Sequence, residues 1–264
     1  MTINVHQIKN YLKHFVSAKR MGHNVHSPFA YKLCEEVFYN NNTFYDFEVF
    51  DKIRAELLKN ETEILVKDFG AGSKVLKGDK RTVASIAKVG ISTKKQSEIL
   101  YKLINFLATK TIIELGTSLG LNTIYLSSAN KRTKVYSIEG NEALSKFARR
   151  LFEIQEVDNC EFIVGNFDNA LPELLNKINS VDLIYIDGNH TYEASIKYFE
   201  MALAKKNNQS VFIFDDIYWS EGMTKAWEEI KKHPSVTLSI DTFYFGMVFF
   251  REEVKERVEL KFLV

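Results

Sequence analysis

From Ile91 to Val264, short dense apolar runs alternate with longer stretches in which apolar residues recur every three or four positions. The first pattern reads as strand and the second as amphipathic helix. Strands are expected near 111–115, 133–138, 160–164, 181–186 and 210–214, with helices at 121–130, 141–155, 170–178, 192–205 and 221–232 and one more ahead of the first strand. Two closing strands follow near 236–241 and 243–250, on either side of Asp241-Thr242. A run such as Val211-Phe212-Ile213-Phe214 leaves no polar face for water. Its alternation with helices therefore predicts a mostly parallel, seven-stranded α/β sheet covered by helices on both faces. Residues 1–90 read as a helical N-terminal extension, which leaves the α/β domain to residues 91–264.

Composition narrows the classes of function. At 45% hydrophobic and 26% charged residues, the 264-residue chain has the makeup of a globular protein with a sizeable core. The net charge of +1 gives no global attraction to nucleic acid. No apolar run approaches the length of a membrane span and the amino terminus has no continuous apolar core of a signal peptide, so a cytoplasmic address is expected. Cys34 and Cys160 are too few for a disulfide framework and have no metal-finger spacing, so buried free thiols are the expected reading.

The richest chemical signal is Ile112-Ile113-Glu114-Leu115-Gly116-Thr117-Ser118-Leu119-Gly120-Leu121-Asn122-Thr123, a buried strand running into a glycine turn and a helix start. Glycine permits unusual backbone angles and close ligand approach, and a helix start offers unpaired N–H groups. Gly116 and Gly120 stand four apart, so this is neither the G-x-G-x-x-G dinucleotide fingerprint nor a Walker loop. The pattern E-x-G-T-x-x-G-x-x-T resembles the first motif of class I S-adenosylmethionine-dependent methyltransferases, most closely the metal-dependent catechol and caffeoyl-CoA-type O-methyltransferases. Further matches come in the order that family requires. Val135-Tyr136-Ser137-Ile138-Glu139 is a strand ending in an acid, Phe162-Ile163-Val164-Gly165-Asn166-Phe167-Asp168 ends a third strand, and Asp187-Gly188-Asn189-His190 and Asp215-Asp216 end two more.

The resemblance implies a Rossmann-like fold closed by a terminal hairpin, and S-adenosylmethionine as cofactor. It implies Glu114, Gly116, Thr117, Ser118 and Gly120 around the methionine portion, with Asn122 and Thr123 available to its carboxylate. Glu139 beside Gly140 would bind the ribose hydroxyls, Asn166 and Phe167 the adenine, and Asp187 completes the set. His190 falls at the general-base position, where the family commonly has lysine; an imidazole titrating near about 6.5 can accept a substrate proton. A helix-capping histidine is the alternative reading. Asp187, Asp215 and Asp216 correspond to an Asp…Asp-Asn metal set, here with Asp216 in place of Asn and with Trp219 following. Mg²⁺ would relieve the repulsion of three carboxylates and lower the pKa of a substrate oxygen, whereas helix capping or direct substrate binding by Asp215 and Asp216 is the competing reading.

The extension is expected to form a substrate or lid region. Ser27 and Pro28 read as N-cap and first residue of a helix. His23, His26, Lys19 and Arg20 are candidates for substrate contact or for a solvated surface. Lys67-Asp68-Phe69-Gly70-Ala71-Gly72-Ser73-Lys74 imitates a second glycine motif but follows what reads as a helix end. With Lys77, Lys80 and Arg81 it reads as a glycine-hinged basic loop, either a lid over an anionic substrate or a solvated linker. The function these readings imply is O-methylation of a small-molecule hydroxyl or carboxylate. An RNA or protein methyltransferase, or a non-catalytic cofactor-binding or interaction protein on the same fold, are the rivals. A homodimer is left open.

Overall fold

The structure is a computed structural model that describes residues 5–18, 27–66 and 80–264. The chain divides into two compact units, a mid-chain unit of Asn41–Lys177 and an end-chain unit of Met1–Asn40 with Ile178–Val264. A division at residue 90 coincides with neither boundary. The stretch 67–79, which holds the expected glycine-hinged loop, and residues 19–26, which hold His23, His26, Lys19 and Arg20, lie outside the described residues.

In the mid-chain unit, helix α3 (Tyr45–Leu57) precedes a two-stranded antiparallel ribbon of β1 (Glu63–Leu65) and β2 (Lys80–Thr82). The ribbon corrects two expectations. Residues 63–65 form a strand rather than a helix end, and Lys80 and Arg81 sit opposite Leu65 and Ile64 in a ladder rather than in a loop. Helices α4 (Val83–Gly90) and α5 (Lys94–Leu107) follow, the latter opened by a capping box between Thr93 and Gln96. Then come β3 (Thr111–Leu115), α6 (Leu121–Ser128), β4 (Lys134–Glu139), α7 (Glu142–Ile154), β5 (Cys160–Val164) and α8 (Phe167–Lys177). The three strands pair in parallel in the order β3-β4-β5. Ile112, Ile113, Leu115, Val135 and Ile138 are fully buried between helices. Burial of each such side chain contributes about 1.5–3 kcal/mol relative to exposure. Phe50 packs on Tyr125 with ring centroids 4.4 Å apart, which joins α3 to α6.

The end-chain unit begins with α1 (Val5–Ser17) and α2 (Pro28–Leu33), the latter capped by Ser27 with Pro28 in its first turn, as expected, and prolonged by a π-helical turn over Cys34–Phe38. The chain returns with β6 (Val181–Ile186), α9 (Tyr192–Leu203), β7 (Lys206–Asp215), α10 (Glu221–Ile230), β8 (Leu238–Asp241), β9 (Phe245–Phe249) and β10 (Val258–Lys261). Its strands lie in the order β10-β8-β9-β7-β6. The β6–β7 pair is parallel, β9 runs antiparallel to both β7 and β8, and β10 is parallel to β8. The closing hairpin is therefore present, and β10 is an addition. Among the described residues the two units hold eight strands besides the β1–β2 ribbon, one more than the seven expected. Val258-Glu259-Leu260-Lys261 is short and half polar, a weak strand signal that pairing with β8 overrides. Gly246 on β9 has a packing reason: a Cβ there would meet the Trp227 ring at 2.6 Å, so the missing side chain lets the indole lie on the strand.

Candidate active site

The mid-chain glycine turn is built by three residues with positive φ, Gly116 at 108°, Ser118 at 50° and Gly120 at 79°. Gly120 is doubly constrained, because a Cβ would stand 2.8 Å from that of Ala148 on α7. The turn is held from below. Ser118 N–H donates to Glu139 Oε2 at 2.9 Å, Asn141 N–H donates to Glu139 Oε1 at 2.9 Å, and Gly116 N–H donates to the Ile138 carbonyl at 3.0 Å. Burial pushes the Glu139 carboxyl up, while these backbone N–H groups oppose it. The expected ribose ligand is thus also the strut of the turn.

Glu114 is fully buried, and its Oε2 accepts from Thr123 Oγ1 and Ser137 Oγ, both at 2.6 Å. Ser137 also lies 2.5 Å from Thr117 Oγ1. Burial pushes the Glu114 carboxyl up to about 7, with the two hydroxyls working the other way. Thr123, expected to face a ligand carboxylate, spends its hydroxyl on Glu114 instead. Glu114 Oε1 and the polar atoms of the Asn122 amide are shut off from solvent, and the Asn122 side chain joins the two hydroxyls in opposing the rise of the Glu114 carboxyl. Groups closed to water are closed to a ligand as well, so this cluster braces the turn from within. Gly140 lies in the half-buried turn after β4; Asn166 is exposed just ahead of α8, its Oδ1 accepting from Asp168 N–H at 2.8 Å, and Phe167 is the half-buried first residue of that helix.

In the end-chain unit the parallel register sets Ile186 beside Phe214, so Asp187 and Asp215 leave their strands at one level. Both following turns pass through the left-handed region, at Asn189 (φ 53°) and Asp216 (φ 54°), residue types that tolerate it. His190 Nε2 lies 3.6 Å from Asp187 Oδ1. Burial holds the His190 imidazole below its ordinary value, and the negative charge of Asp216 opposes this. Asp215 is buried, with one oxygen lacking a hydrogen-bond partner. Burial and the neighbouring Asp216 push its carboxyl up to about 7.

Helix capping explains none of these residues. Thr191 caps α9 by accepting from Ala194 N–H at 3.2 Å, and Ser220 caps α10 by accepting from Met223 N–H at 3.2 Å. His190, Asp215 and Asp216 are thereby released from that duty. The metal set fares differently: among the described residues no three carboxylate, imidazole or thiol groups are arranged to hold a metal ion. Asp187 sits against His190 and also reaches Asp215, where it opposes the rise of that carboxyl. No step is assigned to Mg²⁺.

A cavity of about 410 Å³ adjoins the strand ends of this unit. Asp216, Tyr218, Trp219, Phe243 and Tyr244 line one side, and Gln7, Ile8, Tyr11 and Leu12 of α1 the other. Tyr218 stacks on Phe243 at 5.2 Å, and Tyr11 meets Phe243 edge-on at 5.0 Å. A network beneath fixes this wall. Tyr218 OH donates to Asp241 Oδ2 at 2.6 Å, Phe243 N–H donates to Asp241 Oδ1 at 2.8 Å, and His14 Nδ1 lies 3.2 Å from Asp241 Oδ1 while its Nε2 meets the Phe262 carbonyl at 3.0 Å. Sequence reasoning found Asp216 and Trp219 but missed Tyr218, Phe243, Tyr244 and the α1 residues. The available signal was the pair Phe243-Tyr244 at a hairpin tip, where polar turn residues are usual.

Residues 113–217 match a family model described as a methyltransferase domain. A protein of Clostridium tetani named an uncharacterized RNA methyltransferase is 34% identical over 95 residues, which is 35% of this chain and 20% of that one. The chain spans about a fifth of the length of the curated relatives it matches. Among solved structures, an O-methyltransferase from Bacillus cereus in complex with SAH aligns with a TM-score of 0.57 at 20% identity, covering 80% of this chain and 93% of that one. An SAH-bound methyltransferase from Podospora anserina gives 0.56 at 14% identity, covering 81% and 100%. The chain has the fold of the class I methyltransferases and resembles their O-methylating members. Among the described residues no helix is long and apolar enough to cross a membrane.

Proposed function

We propose that this protein is an S-adenosylmethionine-dependent O-methyltransferase acting on a small-molecule hydroxyl or carboxylate in the cytoplasm. The observation that carries the reading is the methyltransferase-domain match over 113–217, which takes in both the glycine turn and the acidic strand ends. Gly116, Thr117, Ser118, Gly120 and the helix start at Asn122 hold the methionine end, with Glu114 and Thr123 bracing the turn from beneath; Glu139 and Gly140 hold the ribose, and Asn166 and Phe167 the adenine. When bound, the cofactor supplies a methyl group already activated on a sulfonium. The chain's own work is to orient an acceptor oxygen and take its proton. The His190 imidazole, which Asp187 orients, would take that proton. The aromatic cavity beside Asp216 and Trp219 receives the body of the acceptor.

Calorimetric titration with S-adenosylmethionine tests the first half. Saturable one-to-one binding is expected, and no binding by folded protein would overturn it. A screen of hydroxyl and carboxylate acceptors with the wild type and His190→Ala tests the second. The Clostridium relative's name favours RNA as the second reading. Tight, salt-sensitive RNA binding would bring it forward, against the near-neutral net charge of +1.

A further inference from the structure

Helix α1 is amphipathic with its faces reversed. At about 100° per residue, Tyr11, Phe15, Ile8, Leu12, Val5 and Val16 occupy a continuous arc of about 140°. All six are exposed, with Val5 at 74% and Val16 at 86% accessibility. The opposite, polar face is the one that docks on the protein. His14 is buried against Asp241 and Phe262, and His6 Nε2 meets Thr224 Oγ1 at 2.9 Å. Specific polar contacts thus anchor the helix, while Ile8, Tyr11 and Leu12 border the open aromatic cavity and Val5 and Val16 stand furthest out into solvent.

Charge says what covers that side. Lys9 and Lys13 are exposed and flank the arc along the edge marked by Val16. The helix contains no acidic residue, and the first in the sequence is Glu35, after Lys9, Lys13, Lys19, Arg20 and Lys32. An apolar stripe edged by lysines is the pattern of a helix lying in the plane of an anionic bilayer surface. An antiparallel two-fold pairing of α1 with a second copy would instead set Lys9 and Lys13 against their own counterparts. Nucleic acid would use the lysines but leave the apolar arc in water.

We propose that α1 is a membrane-surface anchor that seats this protein on anionic lipid. The proposal is independent of the methyl-transfer reading. Ile8, Tyr11 and Leu12 serve both the exposed arc and the wall of the aromatic cavity, so the seated helix would bring that cavity to the lipid boundary.

The test is flotation of the full chain with vesicles of phosphatidylcholine alone and of equal parts phosphatidylcholine and phosphatidylglycerol. Partition into the anionic vesicles alone is expected, falling as salt rises. Lys9→Gln with Lys13→Gln should weaken it on the order of 30-fold, about fivefold for each lysine. Val5→Glu with Val16→Glu changes two exposed side chains outside the cavity and should reduce it on the order of tenfold or more. Circular dichroism confirms that each variant is folded. No partition by the wild type, or partition that the valine variant leaves intact, would overturn the proposal. So would a dimer, seen by light scattering and abolished by the valine variant, in a protein that ignores both vesicles. Binding of single-stranded RNA that depends on the lysines and not on the valines would likewise reassign the surface.

Discussion

Replacing His14 with alanine should loosen α1 without unfolding the protein, and the size of the effect follows from what the ring touches. Truncation removes the 3.0 Å contact to the Phe262 carbonyl, which belongs to a fully buried residue and would be left without that partner. Such an orphaned group costs about 1–3 kcal/mol. It also removes the 3.2 Å approach to Asp241, another loss of about 1–3 kcal/mol for a buried contact to a charged group. Asp241 itself is not abandoned, since Tyr218 OH and Phe243 N–H still donate to it. The two losses sum to about 2–6 kcal/mol, and because His14 Nδ1 makes no aligned hydrogen bond and Asp241 keeps its other donors, the lower part of that range, about 3 kcal/mol, applies. Native-state hydrogen exchange suits the measurement better than a melting curve, because two compact units need not unfold as one. Protection of the α1 amides should fall about 100-fold, a loss of roughly 3 kcal/mol at 1.36 kcal/mol per tenfold. Affinity for an acceptor lodged in the adjoining cavity should fall with it, while S-adenosylmethionine affinity stays put. His6→Ala, which breaks a partly buried bond to Thr224, should cost about 0.5–1.5 kcal/mol. Unchanged α1 protection in His14→Ala, or equal losses for the two histidines, would refute the assignment of His14 as the anchor.

Acid should release the same helix. Burial pushes the Asp241 carboxyl up, but His14, Tyr218 and the Phe243 N–H together hold it below its ordinary 3.8. A depressed carboxylate stabilises the fold above its unfolded pKa and loses that contribution as pH falls through the folded one, so α1 exchange should accelerate only below about pH 4. His190→Ala should lower kcat by about 10²–10⁴-fold with cofactor affinity retained, as for loss of a general base. Because burial lowers the His190 pKa, the acid limb of the wild-type rate profile should lie below about pH 6.5; a limb above that value would contradict the burial argument. Turnover should survive exhaustive chelation, and loss restored by Mg²⁺ would show that the acidic strand ends assemble a metal site after all. Gly246→Ala forces a Cβ into the Trp227 ring and should destabilise the end-chain unit by about 1–3 kcal/mol in urea titration, provided the strand does not shift.

The strands and the glycine turn were legible because each carries a strong local signal. Ile112-Ile113-Glu114-Leu115 and Val211-Phe212-Ile213-Phe214 are too uniformly apolar for anything but buried elements, and Ser27-Pro28 announces a helix start. What the sequence hid depends on long-range pairing. Glu63-Ile64-Leu65 forms a strand only because β2 lies beside it, and β10 only because β8 does. At the site, residue types were visible but their partners were not. Thr123 looked like a ligand contact until the fold brought it 2.6 Å from Glu114, and Glu139 proved to support the turn as well as to face it. The α1 wall was invisible for a related reason. Which face of this helix docks is not written in its own residues, and only the docked structure shows His14 turned inward.

The separate caps on α9 and α10 have a consequence for how this scaffold can change. Thr191 and Ser220 fasten their helices independently of the chemistry-bearing residues that precede them. Asn189 and Asp216 absorb the left-handed turns with side chains that admit exchange for Asn, Asp or Gly. Under the proposed function, substitution at His190 or Asp216 would alter the chemistry while the cap of the helix behind it stays in place. The two loops are thereby freed to vary on helix starts that are guarded elsewhere.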